Sequence, residues 1–482
     1  MYTRAGATRL LSCIASITKH TPGRNFTHRM GDASVYSFEP LLYSGVRPRV
    51  YSASDKLMEA LLLFQAPTGT VDILPEEQPY WRYVQANALD TATRFGYERI
   101  DTPVFEDARL FVRGIGEITD IVEKETYTFE DRGGDLVTLK PEGTAPVCRA
   151  FLEHGMGNRP QPVRLFYICP VFRYERPQSG RFRQHHQFGV EVFGDGDASI
   201  DAEVIELGWS FLQSVGLDSL ALSVNSIGDT ECRPAYVEML QGYYRGHVEE
   251  LCPDCRRRLD RNPLRLLDCK VDICQPLIAQ APHGVDFLCG PCEGHWSDLL
   301  GYLRDLDLPF EIDHRLVRGF DYYSRTVFEI TPPVEGRQST LIGGGRYDGL
   351  IGELGGRPTP GIGFGMGIER VIVNLKRQEV PLPDRRRSKV VVAHVGDASR
   401  RAAISLSSKL RRAGIASLAG PSTRGLRSQL RYASSVEATH ALILGDDELQ
   451  RGTIVLRDLG EGEQEEIELK VELLVERLTG GP

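Results

Sequence analysis

The stretch that most constrains this chain is Arg164-Leu-Phe-Tyr-Ile-Cys-Pro-Val-Phe-Arg-Tyr-Glu-Arg-Pro-Gln-Ser-Gly-Arg-Phe-Arg-Gln-His-His-Gln-Phe-Gly-Val-Glu191, two extended segments about a turn at Pro177 to Gly180. Such a pattern reads as a β-hairpin. Successive side chains on a strand point to opposite faces. Arg173 and Glu175 therefore share one face of the first strand, with Phe172 and Tyr174 on the other. On the second strand Arg183, His185, Gln187 and Glu191 share a face, away from Phe182, Phe188 and Val190. Two polar faces on neighbouring interior strands are costly unless they line a site, because buried charge has to be paired or bound to ligand. The alternative is a sheet face left to solvent. The adjacent His185 and His186 diverge on a strand and do not read as a metal pair.

Two further clusters carry polar groups. Leu316 to Glu329 sets Arg318 beside Gly319, then Asp321, Tyr322 and Tyr323: a planar fork of donors near phenol hydroxyls that can give or accept a hydrogen bond. Gly343-Gly-Gly-Arg-Tyr-Asp-Gly-Leu350 is followed by Gly361-Ile-Gly-Phe-Gly-Met-Gly-Ile-Glu-Arg370. Alternate glycines let a ligand approach the backbone, and the residues beyond them open a helix carrying Arg370. No strand–turn–helix dinucleotide unit surrounds them, so a Rossmann reading fails. A strand packed beneath a flat ligand is the expectation, with a bulge-rich structural strand as the alternative.

Around these motifs the chain divides. At 482 residues and about 150 per domain, two to four domains are expected. A composition of 41% hydrophobic and 26% charged residues, with no apolar run of about 18, excludes membrane-spanning and fibrous classes. Tyr80, Trp81, Val84, Ala88, Ala92 and Phe95 recur at three- and four-residue steps and predict a helix from Leu74-Pro75 to Gly96. The net charge of −9 is unevenly spread: residues 1–31 hold five basic side chains and no acid, while residues 385–432 hold twelve against Asp397 alone. That second segment lies in an alternating strand and helix pattern after a linker at Pro381 to Arg387. Strands are expected at Lys389–Val395, Ile415–Leu418, Ala441–Leu444 and Thr453–Asp458, and helices at Ala398–Ala413 and Arg424–Val436. An anionic partner docking on it is the sharper reading, a solvated surface the blander one. Residues 1–65 read either as disordered sequence ahead of a later start near Met58 or as a targeting peptide.

Six of the ten cysteines fall between Cys252 and Cys292, including Cys252-Pro-Asp-Cys255 and Cys289-Gly-Pro-Cys292. Two such pairs brought together would make a tetrahedral zinc site. Reduced thiols and redox chemistry are the alternatives.

Taken together, the segments from about Ala66 to the C-terminus resemble the histidyl-tRNA synthetase family, class II aminoacyl-tRNA synthetases of bacterial type. Thr68 to Pro75 resembles the family's opening segment, and Gly96 to Arg113 the first class II motif, which builds a dimer interface. Phe172-Arg-Tyr-Glu-Arg176 through Glu191 resembles the second motif, and Gly361 to Arg370 the third. Leu316 to Thr326 and Gly343 to Leu350 resemble the two histidine-specific signatures. The resemblance implies an α+β class II catalytic core, an antiparallel sheet with flanking helices, over 66–384. An acceptor-stem domain would be inserted at about 226–310, and a C-terminal α/β anticodon-binding domain would span 385–482.

It also implies roles. Arg173 would grip the ATP α-phosphate and the histidine carboxylate, Glu175 would face the adenine, and Arg370 would hold the γ-phosphate. Arg318 would act on the α-phosphate as charge builds there, so Arg318 and Arg173 are the catalytic pair. Glu142, Gly143 and Thr144 would meet the substrate amino group with help from Gln187. Glu191 and Tyr323 would read the imidazole, and Tyr322 and Tyr347 would line its pocket. Gln178 and Arg181 would touch the tRNA acceptor end, and Arg424, Arg427 and Arg431 the anticodon. Cys252, Cys255, Cys289 and Cys292 would hold any structural Zn2+. ATP would enter as substrate with Mg2+, alongside L-histidine and tRNA(His), in a homodimer with no membrane partner. The setting would be cytoplasmic, or organellar if the N-terminal extension is genuine. Two other readings use the same fold: the regulatory paralogue of histidine biosynthesis, and a class II synthetase for proline, threonine or glycine.

Overall fold

The computed structural model describes residues 64–115, 125–175, 182–333, 340–383, 389–421 and 423–479. The reading of the N-terminal extension and the charged part of the linker lie outside them. From Ala66 onward the described chain forms one compact unit.

Helix α1 (Gln78–Arg94) buries Trp81, Val84, Ala88 and Ala92 along one stripe, as the spacing predicts. It starts later than expected, because Glu77 N–H donates back to Leu74 O at 3.0 Å in a turn. After it come β1 (Glu98–Arg99), α2 (Thr144–Glu153), β2 (Val163–Phe172), β3 (Gln184–Phe193), α3 (Ala198–Ser214), β4 (Ala221–Ser226) and α4 (Arg233–Arg245). They continue as α5 (Gly290–Asp305), β5 (Phe310–Ile312), β6 (Ser324–Thr331), β7 (Ile342–Arg346), β8 (Gly361–Gly367) and α6 (Ile368–Arg377). The strands form one sheet in the order β1-β2-β3-β8-β7-β6-β4-β5, antiparallel throughout except for the parallel pairs β1·β2 and β4·β5 at its edges. The expected α+β core is present.

The two faces of this sheet differ in kind. Phe166, Phe188, Val190, Phe328, Ile342, Phe364 and Met366 point to the back, where they pack with Val204 and Phe211 of α3 and Val371 and Leu375 of α6. Burying each such side chain stabilises the fold by about 1.5–3 kcal/mol. The opposite face is freed to carry polar groups. Between β1 and α2, strands Phe105–Asp107, Leu136–Leu139 and Tyr127–Glu130 make a small separate sheet.

The C-terminal part has its own sheet. Its elements are β9 (Lys389–Val395), α7 (Asp397–Arg412), β10 (Ala416–Ala419), α8 (Leu426–Ser435), β11 (His440–Gly445), β12 (Thr453–Asp458), β13 (Gln464–Glu468) and α9 (Val471–Thr479). The strand order is β10-β9-β11-β12-β13, parallel for the first three and antiparallel after. β13 and α9 were not expected, since their glutamates mask the strand and helix pattern. No described helix is long and apolar enough to cross a membrane.

Candidate active site

Three glycines on neighbouring strands leave a gap on the front of the large sheet. Tyr167 of β2, Gly189 of β3, Gly365 of β8, Gly343 of β7 and Glu329 of β6 lie opposite one another across five strands. Glycine inside a strand marks a close approach by another group. A Cβ at Gly343 would run into the Arg318 guanidinium, and one at Gly365 into the Gln187 amide. Above this row lies a cavity of about 250 Å3. Glu142, Thr144, Arg173, Glu175, Gln187, Arg318, Tyr322, Tyr323 and Arg370 all line it, so residues from four separate segments meet there.

Each charged group is held by a neighbour. At the start of α2, Thr144 N–H donates to Glu142 Oε2 at 2.6 Å and Ala145 N–H to Oε1 at 2.7 Å. Helix N-terminal amides fix that carboxylate in place. Burial still pushes it up, so a cationic ligand group would relieve it. Arg173 donates from Nε to Pro141 O at 2.8 Å, and its guanidinium carbon lies 5.8 Å from the Phe320 ring centroid. Arg318 pairs through Nη1 with Glu329 Oε1, while Glu329 Oε2 accepts from Thr340 Oγ1 at 2.9 Å. Arg370 Nη1 donates to Thr340 O at 2.9 Å. Thr340 thus bridges the Arg318 and Arg370 supports.

His186 ties α6 to β3: its ring Nδ1 lies 2.9 Å from Glu369 Oε1, and its backbone N–H donates to the same carboxylate. His185 lines the cavity instead, and burial, with Arg173 and Arg370 nearby, lowers its pKa to about 3. It is neutral at ordinary pH. Gln187 Oε1 and Arg318 Nε are buried with no hydrogen-bond partner among the described residues. Buried polar atoms in that condition are ones a ligand would satisfy.

Several expectations require correction. The first hairpin strand ends at Phe172, so Arg173 and Glu175 lie beyond it rather than on its face. Glu191 and Tyr347 belong to the floor and are not among the residues lining the cavity. Thr144 Oγ1 donates to Glu191 Oε1 at 2.7 Å, Tyr167 OH to the same oxygen at 3.2 Å, and Tyr347 OH to Oε2. Burial pushes the Glu191 carboxyl up to about 8. Gly143 is fixed by packing, because a Cβ there would enter the Tyr167 ring.

Sequence reasoning also missed Arg346. It sits in the glycine motif yet is itself fully buried, donating from Nε to Asp201 Oδ1 at 3.0 Å and from Nη1 to Oδ1 of the partly exposed Asp348 at 3.1 Å. His295 Nε2 meets Asp201 Oδ2 at 2.9 Å. An acid on α3 facing a β-strand arginine in a long-range pair leaves no local sequence signal.

The two CxxC pairs do not converge, contrary to the expectation of one site from Cys252, Cys255, Cys289 and Cys292. Cys252 and Cys255 gather with Cys269 and Cys274, whereas Cys289 and Cys292 gather with Asp229 and Cys232. The reason is path: Cys269 and Cys274 return from the short turns after Cys255, while Cys289 and Cys292 sit at the start of α5, facing the loop after β4. In the C-terminal part, Arg427 and Arg431 are exposed one turn apart on α8, with exposed Arg424 just before it. Gln178 and Arg181 lie outside the described residues.

The chain matches known families in both its parts. The family model for histidyl-tRNA synthetase matches residues 69–229 and 293–371, and that for an anticodon binding domain matches 389–479. A histidine–tRNA ligase of Dehalococcoides mccartyi (strain 195) is 56% identical over 84% of this chain and 97% of its own length. One from Pelotomaculum thermopropionicum is 46% identical over 87% of this chain and 99% of its own. Among solved structures, S. aureus histidyl-tRNA synthetase superposes with a TM-score of 0.73 at 36% identity, covering 86% of this chain and all of that one.

Proposed function

Since the chain belongs to the histidyl-tRNA synthetase family and is a histidine–tRNA ligase, we propose how its residues divide that work. It is not the regulatory paralogue, nor a ligase for another amino acid. The observation that carries the reading is the gathering of Glu142, Gln187, Arg173, Arg318 and Arg370 around one glycine-floored cavity.

Glu142 takes the histidine ammonium, with Thr144 and Gln187 beside it. Tyr322 and Tyr323, whose hydroxyls can give or accept a hydrogen bond, flank the imidazole, and Glu191 backs the pocket from the floor through its hydrogen bonds with Thr144 and Tyr347. A site built around both a donor and an acceptor rejects analogues lacking them by roughly 10⁴ or more. Arg173, its Nε already committed to Pro141, offers its two Nη groups to the histidine carboxylate and the ATP α-phosphate. Arg370 takes the γ-phosphate and Glu175 the adenine side. Bidentate guanidinium is well matched to both anions. Mg2+ would ride on the phosphates, with Glu175 and Glu369 the nearby protein oxygens. The histidine carboxylate attacks the α-phosphorus in line and pyrophosphate leaves, giving histidyl-adenylate. As negative charge builds on the α-phosphate oxygens, Arg318 stabilises it from a fixed position. The tRNA terminal ribose hydroxyl then takes the histidyl group, and AMP leaves.

A homodimer fits the exposed Phe105, Phe129 and Leu136 on the small sheet. A cytoplasmic setting fits the reduced thiols of the described cysteines. Arg424, Arg427 and Arg431, with no ion-pair partner among the described residues, offer positive charge to the anticodon stem. Neutralising all three is expected to weaken tRNA(His) binding at least tenfold and flatten its salt dependence by about three phosphate contacts. Histidine-dependent pyrophosphate exchange should stay at the wild-type rate. Unchanged tRNA affinity across a salt series would show that the basic helix is merely solvated.

A further inference from the structure

We infer that Cys252, Cys255, Cys269 and Cys274 form a tetrathiolate zinc site whose metal closes the loop that clasps the backbone around Arg318. The inference rests on sulfur geometry and not on the activity, so either can fail without the other. All four thiols are buried and their sulfurs lie within 4.8 Å of one another. Cys252 Sγ and Cys269 Sγ are 3.8 Å apart. Tetrahedral zinc with Zn–S bonds of about 2.3 Å sets its sulfurs about 3.8 Å apart, far longer than a disulfide.

Backbone amides already point at these sulfurs. Cys252 N–H donates to Cys274 Sγ at 3.3 Å, Cys255 N–H to Cys252 Sγ at 3.4 Å and Val271 N–H to Cys269 Sγ at 3.5 Å. Donors of this kind stabilise thiolate over thiol and orient each sulfur, the outer-shell support a metal ligand needs. The surrounding chain also lacks regular structure of its own. Between Cys252 and Ala279 it has only two helices of six and five residues and short 3-10 turns. A segment so poor in backbone pairing gains its rigidity from a cross-link.

The loop between Cys255 and Cys269 reaches the active site. Asn262 Nδ2 donates to Asp321 Oδ1 at 2.7 Å, and Arg265 Nη1 donates to the Arg318 carbonyl at 3.2 Å. The metal therefore anchors, at one remove, the backbone that carries the catalytic arginine. The family model leaves residues 230–292 unmatched. The second cluster differs, because Asp229 already accepts from Arg325 Nη2 at 3.4 Å and Cys289 is only partly buried.

Full-length protein prepared under reducing conditions is expected to hold zinc that Cys274→Ser lowers by one equivalent per chain. Exchanged into Co2+, the wild type should show sulfur-to-cobalt charge-transfer and tetrahedral ligand-field bands. Stripping the metal should expose Arg256, Arg257, Arg258 and Arg261 and speed tryptic cleavage there at least tenfold. A metal-free preparation that takes up neither ion, or zinc content unchanged in Cys274→Ser, overturns the site. If Cys274→Ser does not fold, the metal dependence of tryptic cleavage at Arg256 to Arg261 in the wild type decides.

Discussion

Arg318→Ala is expected to slow histidyl-adenylate formation about 10³-fold, or roughly 4 kcal/mol of transition-state stabilisation. The size follows from geometry. Arg318 is locked by Glu329 on one side and laid across the glycine at 343 on the other, so its charge needs no reorganisation when the α-phosphate oxygens become more negative. A group that acts only as that charge develops should depress kcat while leaving the KM for histidine within a few-fold. Arg318→Lys keeps the charge but loses the fork, and should recover only part of the rate. Stopped-flow measurement of adenylate formation, with thermal melting as a check on folding, distinguishes these. Near-normal activation by a folded Arg318→Ala protein removes Arg318 from the mechanism.

The second large effect concerns stability. Arg346 and Asp201 are both fully buried, and removing the arginine leaves an uncompensated carboxylate beside His295. Arg346→Ala should therefore cost about 3–5 kcal/mol in denaturant unfolding. Asp201→Asn combined with Arg346→Met should cost clearly less than the two changes summed, because neither partner is then left charged and alone. Burial by itself would raise the Asp201 pKa, but Arg346 and His295 outweigh it and hold the group below the ordinary carboxylate range. Its stabilisation is full above an unfolded pKa of about 3.9 and is lost as the pH falls through the lowered folded value. An Arg346→Ala protein with a wild-type unfolding midpoint would mean that the pair is not buried in solution.

What the sequence makes legible is whatever depends on neighbours along the chain. Period-two alternation separates Gln187 and Glu191 from Phe188 and Val190, and β3 places the first two at the front and the second two in the core. The strands at Lys389 to Val395 and Thr453 to Asp458 fall where patterning puts them. Long-range pairing is where that reading stops. Glu191 looks like a pocket residue until Tyr347, 156 positions later, covers it. Arg346 looks like part of a ligand loop until Asp201, 145 positions earlier, claims it. Each CxxC pair is visible, but the path of the intervening turns decides which sulfurs it meets. The helix α1 start moved because a local turn at Leu74 to Glu77 took the residues ahead of it.

Amino-acid-dependent exchange of pyrophosphate into ATP tests the central claim most directly. The full-length protein, supplied in turn with L-histidine, proline, threonine or glycine, should catalyse exchange only with L-histidine and not in the absence of amino acid. Exchange without any amino acid, or a preference for proline, threonine or glycine over histidine, would contradict the assignment of this cavity.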